Sequence, residues 1–94
     1  MGYHWLSLAT VKRHEAQAAR LGVSLVARSP RGFLTAYDAA KGSASVMNAT
    51  PVPGYPRQTW GQRRAAYIAR ALPQYRRNPT ERRRLSLILW AYRP

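Results

Sequence analysis

The chain contains no cysteine and only three acidic residues among its 94. The lack of cysteine excludes disulfide bonds and cysteine-ligated zinc sites, and it fits a reducing compartment. The longest apolar run, Leu87–Tyr92, is far shorter than the roughly 20 residues of a membrane-spanning helix. The first residues lack the basic and apolar segments of a signal peptide. These absences predict a cytoplasmic protein with no membrane span.

The scarcity of acids also argues against catalysis. Glu15, Asp38 and Glu81 are scattered and form no visible pair of catalytic carboxylates. His14 falls on or near the apolar side of a predicted helix, where a structural histidine is more common than a general base. Metal-free RNA cleavage by Arg, Tyr and His, as in small basic ribonuclease toxins, is the chemistry that remains. We therefore predict a non-enzymatic protein that needs no metal or cofactor, with a ribonuclease as the minor alternative.

What the chain has in excess is positive charge. Sixteen basic residues give a net charge of +13, and fourteen of the sixteen are arginine. Arginine presents a planar fork of donors that matches phosphate. The charge is also uneven, because residues 57–94 carry ten cations against one anion. Clustered charge of this size predicts an anionic polymer as the partner, most commonly nucleic acid, either DNA or RNA.

Hydrophobic periodicity predicts a mainly α, small single domain of about four helices spanning residues 1–94. The first helix is expected over Leu8–Leu21, with Gly22 just past its end. Residues 43–58 contain three prolines and no periodicity. This stretch is expected to form a long irregular connection.

The segment after Gly22 allows two interpretations. It can form a short hairpin at 23–37, with strands at Val23–Arg28 and Phe33–Tyr37 around a Ser-Pro-Arg-Gly turn. It can also form a helix with Ser29 as N-cap, Pro30 in the first turn and Gly42 just past the end. Both terminal signals fit the helix, which we favour.

Two further helices are expected in the C-terminal half. Thr59 should cap a helix from Trp60, and Pro73 should stop or kink it near Leu72. The last helix should run from Pro79, with Asn78 as its N-cap, to about Tyr92. The apolar side of the first of these helices carries Trp60, Tyr67, Ile68, Ala71, Leu72 and Tyr75. Arg64 falls awkwardly within that stripe.

Residues Ala18–Ser24, with the sequence AARLGVS, resemble the first helix and turn of a helix-turn-helix motif. The resemblance covers about a tenth of the chain. It ends where a recognition helix should continue, because Ser29-Pro30 interrupts that position and Arg28 replaces a buried aliphatic residue. The resemblance therefore implies a helical corner at this point.

The arginines of the two C-terminal helices predict where nucleic acid binds. At 100° per residue, Arg63 and Arg70 lie one above the other beside Tyr67, and Arg77 joins them if the helix continues that far. Trp90 is expected on the side of the last helix away from its core stripe. The predicted nucleic-acid-binding residues are Arg63, Arg64, Arg70, Arg76, Arg77, Arg82, Arg83, Arg84, Tyr67 and Trp90.

The start of the last helix poses a specific question. A helix N-terminus is the positive end of the dipole, and it favours acidic side chains. Here Arg82, Arg83 and Arg84 cluster with Glu81 alone to oppose them. We infer that a bound phosphate supplies the missing negative charge at this place.

Two other partners are consistent with the sequence. A small basic domain can dock on an acidic protein or a nucleoprotein complex, as inhibitors and adaptors encoded by phages and mobile elements do, with aromatic and arginine side chains as anchors. Surface binding to anionic lipid through the last helix is ranked below both, because that helix's apolar stripe is needed for the core. The sequence does not indicate the oligomeric state.

Overall fold

The computed structural model describes residues 3–23 and 32–94. The predicted mainly helical single domain is confirmed, with one small two-stranded antiparallel sheet added. The elements are α1 (Leu8–Arg13), α2 (Glu15–Arg20), α3 (Phe33–Ala39), α4 (Ala44–Ala49), β1 (Pro51–Val52), β2 (Tyr55–Thr59), α5 (Trp60–Arg77) and α6 (Glu81–Leu89). Within the two described ranges, no helix combines the length and the hydrophobicity that crossing a bilayer requires.

The helix predicted over Leu8–Leu21 is present but interrupted at His14. This residue ends α1 and precedes α2, with φ −96° and ψ −5°. The Nδ1 atom of its ring lies 2.8 Å from the carbonyl oxygen of Thr10, one turn earlier. The imidazole is thus engaged with the backbone at the break, which agrees with the structural role predicted for it.

The end of α2 matches the predicted glycine stop. Gly22 has a φ of +70°, and the Val23 amide donates a 2.8 Å hydrogen bond to the Ala18 carbonyl. This six-residue closure is the Schellman motif, in which glycine avoids the cost of the left-handed conformation. The helical corner implied by the helix-turn-helix resemblance is therefore present. The recognition-helix positions, residues 24–31, lie outside the described residues.

α3 confirms the helical alternative for its part of the chain, and the second strand of the hairpin alternative was wrong. Phe33, Leu34 and Tyr37 are all buried, which fits one face of a helix and not one face of a strand. The N-cap is Gly32. The cap predicted from sequence, Ser29, lies outside the described residues.

The long irregular connection predicted for residues 43–58 was wrong, because this stretch contains α4, β1 and β2. The Ser43 hydroxyl caps α4 by accepting a 3.2 Å hydrogen bond from the Val46 amide. The Pro53-Gly54 dipeptide joins the two strands, with Gly54 at φ +82°. A Pro-Gly pair favours a tight turn. These local signals specify structure without hydrophobic periodicity.

α5 continues past Pro73, so the stop predicted near Leu72 was wrong. The predicted N-cap is confirmed: the Thr59 hydroxyl accepts from the Gln62 amide at 3.2 Å, and the Gln62 side chain accepts from the Thr59 amide at 2.9 Å. Pro73 and Ala69 are both exposed. Water can therefore solvate the Ala69 carbonyl that loses its usual helical donor, and the helix tolerates the proline.

α6 begins at Glu81, two residues later than predicted. Its N-cap is Thr80, whose hydroxyl accepts a 3.2 Å hydrogen bond from the Arg83 amide. Asn78, the predicted N-cap, is instead the C-cap of α5. Pro79 separates the two helices because the residue before a proline disfavours helical geometry.

α6 also ends earlier than the predicted Tyr92. Its last helical residue is Leu89, and Ala91 takes a left-handed φ of 58°. The Tyr92 amide then closes the turn by donating to the Leu87 carbonyl at 3.1 Å. This turn brings backbone carbonyl groups of the final residues toward α5.

Two clusters of buried apolar side chains support α5 from one side. The larger includes the rings of Phe33, Tyr37 and Trp60. The smaller lies where α5 meets α6 and consists of Ile68, Leu72 and Leu87. Core packing therefore fixes one side of α5, and the remainder of its surface carries most of its charge.

Candidate nucleic-acid interface

Three arginines form a row along α5. Arg63, Arg70 and Arg77 recur every seven residues and therefore lie near one line on the helix. Because α5 continues through Pro73, the row is about 21 Å long. Arg70 and Arg77 are exposed and Arg63 is half-buried. This is the row that the sequence predicted on condition that the helix did not stop at the proline.

Three adjoining clefts run beside this row. The first and second share Gln58 and Arg63, and the second and third share Tyr67 and Arg70. We call the three clefts together the basic groove. Its charged and aromatic lining consists of Arg57, Arg63, Arg70, Tyr55, Tyr67 and Trp90. The groove thus extends from the hairpin to the middle of α5.

The hairpin contribution to the groove was missed from the sequence. Arg63 donates from Nε to the Gln58 side-chain oxygen at 2.8 Å, and its Cζ lies 4.3 Å from the centre of the Tyr55 ring. This is the distance of a cation–π contact. Gln58, Tyr55 and Arg57 were overlooked because residues 43–58 were interpreted as irregular. The Pro-Gly turn was the signal that could have placed them.

The arginines of the basic groove have free donor groups. Arg57 and Arg70 form no hydrogen bond or ion pair with any other described residue, and Arg77 forms none either. Arg63 uses only its Nε atom, which leaves both terminal amino groups without a protein acceptor in the described part of the chain. These groups are therefore available to an external anion.

Acidic side chains are kept away from the groove. Asp38 pairs with Lys12 at 2.8 Å, and together with Glu15 they line a separate cleft beside α3. Glu81 pairs with Arg84 at the start of α6. None of these three carboxylates lines the basic groove, so within the described residues no acidic side chain neutralises its arginines.

Arg64 was predicted to contact nucleic acid, and the structure corrects this. The side chain is only 2% exposed. Its guanidinium donates to the carbonyl oxygens of Trp90 (2.7 Å), Ala91 (2.8 Å), His4 (2.7 Å) and Tyr3 (3.1 Å). Its donors are thereby used inside the protein, so Arg64 is a structural residue.

The Arg64 site explains why a charge can be buried in this core. The Cζ atom lies 4.0 Å from the centre of the Trp5 ring, which adds a cation–π contact to the four hydrogen bonds. Burial lowers the pKa of Arg64 to about 10. The side chain therefore remains a cation at neutral pH. The sequence had signalled this position, because Arg64 interrupts an otherwise apolar stripe.

The three arginines at the start of α6 also have protein partners. Arg82 donates from Nη1 to the Leu21 carbonyl at 2.8 Å, and Arg83 donates from Nη1 to the Asn78 carbonyl at 3.1 Å. Leu21 and Asn78 are the C-caps of α2 and α5. A helix C-terminus is the negative end of its dipole and favours cations. Backbone carbonyl oxygens therefore take the role that the sequence predicted for a bound phosphate.

Arg84 has a different partner in the same region. Its Nε and Nη2 atoms each lie 2.8 Å from an oxygen of Glu81, a two-point contact. The Gln17 side chain donates to the same carboxylate at 2.7 Å and thus links α2 to α6. These hydrogen bonds, with that from Arg84 the strongest influence, lower the pKa of Glu81. Arg82, Arg83 and Arg84 therefore support helix packing rather than the groove.

Arg76 lies apart from the groove on α5. It is exposed, and it stands six residues beyond Arg70, about 240° around the helix. It lines none of the three clefts. Of the ten predicted residues, the structure brings four to the groove: Arg63, Arg70, Tyr67 and Trp90. Arg77 continues the arginine row along α5 beyond the clefts.

The two predicted aromatics line the groove with their rings already stacked. Trp90 lies between Phe33 and Tyr67, with 4.7 Å between ring centres on each side. The Tyr67 hydroxyl hydrogen-bonds to Ser86. Both faces of Trp90 are therefore occupied, which contradicts a role in stacking on a base and leaves only its edge for a partner.

Groups of three or more His, Cys, Asp or Glu side chains that could hold a metal ion are absent from residues 3–23 and 32–94. Comparison of the chain with protein-family models, curated proteins and solved structures yields no match. The geometry of the groove therefore carries the functional argument.

Proposed function

We propose that the protein is a non-enzymatic nucleic-acid-binding protein that contacts its ligand through the basic groove. The observation that supports this is the separation of charge: Arg57, Arg63 and Arg70 line one groove with unused donors, and every carboxylate lies elsewhere. Arginine donors of this kind bind phosphate through strong charge-assisted hydrogen bonds. A cytoplasmic protein of this type would meet nucleic acid directly.

The dimensions of the row suit a polyphosphate. Successive arginines on α5 are about 10 Å apart along the helix. Phosphates along one strand of a duplex recur about every 3.4 Å of axis, so one arginine interval corresponds to roughly three nucleotides. A ligand that carries many regularly spaced phosphates can therefore satisfy several arginines at once. A single small anion would leave most of the groove charge unneutralised.

Fluorescence anisotropy with labelled single-stranded and duplex oligonucleotides tests the proposal. Four arginine contacts, from Arg57, Arg63, Arg70 and Arg77, should give a slope of log affinity against log salt near −3 to −4. Changing Arg57, Arg63 and Arg70 together to Gln should reduce the slope to about −1. Arg20→Gln is the matched control, because Arg20 is exposed on α2 and lines none of the three clefts.

The second candidate function is docking on an acidic protein. It is favoured by the combination of arginine and tyrosine in the groove, the residue types that dominate protein hot spots. Polyglutamate of the same charge as the oligonucleotide distinguishes the two candidates. Tighter binding to polyglutamate, or no oligonucleotide binding at 50 mM salt, would reject nucleic acid in favour of the acidic protein.

A further inference from the structure

Tyr55 differs from the other aromatic residues of the groove. It is 54% exposed, and the Cζ atom of Arg63 lies 4.3 Å from the centre of its ring. Trp90 has both faces covered, and Tyr67 has one face on Trp90. Within the described residues, Tyr55 is therefore the groove aromatic with the most ring surface available to a ligand.

The position of Tyr55 is fixed by the hairpin. It follows the Pro53-Gly54 turn in β2 and directly precedes Pro56, which restricts the backbone angles of Tyr55. Arg63 is in turn held by the 2.8 Å hydrogen bond to Gln58. The tyrosine and the cation beside it are thus ordered before any ligand binds, which reduces the entropy lost on binding.

The chemistry around this ring matches one nucleotide. Arg57 and Arg63 line the same cleft as Tyr55, so an aromatic ring and two guanidinium groups share one cleft. A flat ring stacks well on any nucleobase, since every base has a π-face. Bases inside a duplex are already stacked on both sides, whereas unpaired bases can be stacked by a protein.

We propose that Tyr55 stacks on an unpaired base while Arg57 and Arg63 bind the adjacent phosphates, so that the ligand class is single-stranded nucleic acid. This inference rests on the proposed function and specifies its ligand. The site is proposed to recognise an unpaired base with flanking phosphates, and RNA and DNA both present these groups.

The test compares four labelled ligands of equal length: single-stranded oligo(dT), oligo(U), an abasic DNA strand and a DNA duplex. The wild-type protein should bind the base-bearing strands about five- to a hundredfold more tightly than the abasic strand. Tyr55→Ala should abolish this discrimination and weaken binding of the base-bearing strands more than binding of the duplex. Tyr55→Phe should retain the discrimination. The tighter of the oligo(dT) and oligo(U) arms identifies the nucleic acid.

Val46→Ala is the matched control. Val46 is 46% exposed, which is similar to the 54% exposure of Tyr55. It lies on α4 and lines none of the three clefts. This variant should bind all four ligands like the wild type, and melting curves should show that Tyr55→Ala remains folded.

The outcomes separate this inference from the proposed function. Equal binding of base-bearing and abasic strands by the wild type would overturn stacking, as would discrimination that survives in Tyr55→Ala. An equal loss of duplex and single-strand binding in Tyr55→Ala would also overturn it, since the ring would then only support the groove. Failure of the wild type to bind any of the four ligands would overturn the proposed function itself.

Discussion

Arg82 lies one residue inside the N-terminus of α6, yet its Nη1 atom is 2.8 Å from the carbonyl oxygen of Leu21 at the C-terminus of α2. A charge at the unfavourable end of its own helix thus occupies the favourable end of another. Arg83 makes the same kind of contact with Asn78 at the end of α5. The basic sequence around residue 82 therefore arises from how three helix ends meet.

We expect Arg82→Gln to lower the free energy of unfolding by about 0.5–1 kcal/mol, because it removes an exposed hydrogen bond and a dipole interaction. Oligonucleotide affinity should change by about twofold or less, since only screened long-range charge is lost. Arg70→Gln should show the reverse pattern, with stability kept and affinity reduced. Urea unfolding and anisotropy measure the two quantities. A stability gain in Arg82→Gln would contradict the capping role.

Arg64→Met should be the most destabilising arginine substitution in the described chain. It removes the donor from the carbonyls of Tyr3, His4 and Trp90 in a buried setting. The Ala91 carbonyl keeps the Leu6 amide as a donor. We expect a loss of about 3–5 kcal/mol. Arg64→Lys keeps the charge but cannot reproduce the planar fork, so it should recover only part of this loss. Arg70→Met is the control and should change stability by about 0.5 kcal/mol or less. A near-native urea midpoint for Arg64→Met would refute the structural assignment.

Trp90→Ala should reduce stability strongly, because the ring is stacked between Phe33 and Tyr67. We expect a loss of about 3 kcal/mol, at the lower end for a large aromatic since Trp90 is not fully buried. Trp90→Phe should preserve most of the stacking. Thermal melts of the two variants measure the difference. Unchanged stability with lost binding would instead show that the ring serves the ligand.

Glu81 predicts a pH dependence of stability. The hydrogen bond from Arg84 lowers the pKa of Glu81 in the folded protein. The ionised carboxylate therefore stabilises the fold at pH values above the ordinary carboxyl pKa of 4.5. That contribution is lost as the pH falls through the lowered folded-state pKa. Glu81→Gln should therefore flatten the acid limb of a stability curve below the ordinary carboxyl pKa. An identical acid limb in both proteins would argue against the Glu81–Arg84 pair.

The local signals in the sequence predicted more of the fold than hydrophobic periodicity alone. Thr59 and Gly22 were placed correctly because a cap and a stop depend on neighbouring residues. The segment 43–58 was misjudged because its own local signals, the Ser43 cap and the Pro53-Gly54 turn, were overlooked. Pro73 was misjudged for the opposite reason. Whether a proline interrupts a helix depends on whether water can reach the freed carbonyl, and this is a property of the assembled fold.

The candidate site was only partly predictable for the same reason. The row of Arg63, Arg70 and Arg77 follows from helical spacing. The Leu21 carbonyl lies 61 residues from Arg82 along the chain, and the Tyr3 carbonyl lies 61 residues from Arg64. No local pattern could therefore show that these cations already donate hydrogen bonds to carbonyl groups. Sequence reasoning located the charge, but only tertiary contacts separate the free arginines from the engaged ones.

The acceptors of Arg64 also set the order in which the chain can complete its structure during synthesis. Tyr3 and His4 leave the ribosome long before Arg64, and Trp90 and Ala91 follow it. A nascent chain that lacks α6 therefore cannot finish this network. Closing a loop of this length is slow relative to local helix formation. Final folding should consequently wait until the last turn has been translated, as a single cooperative step.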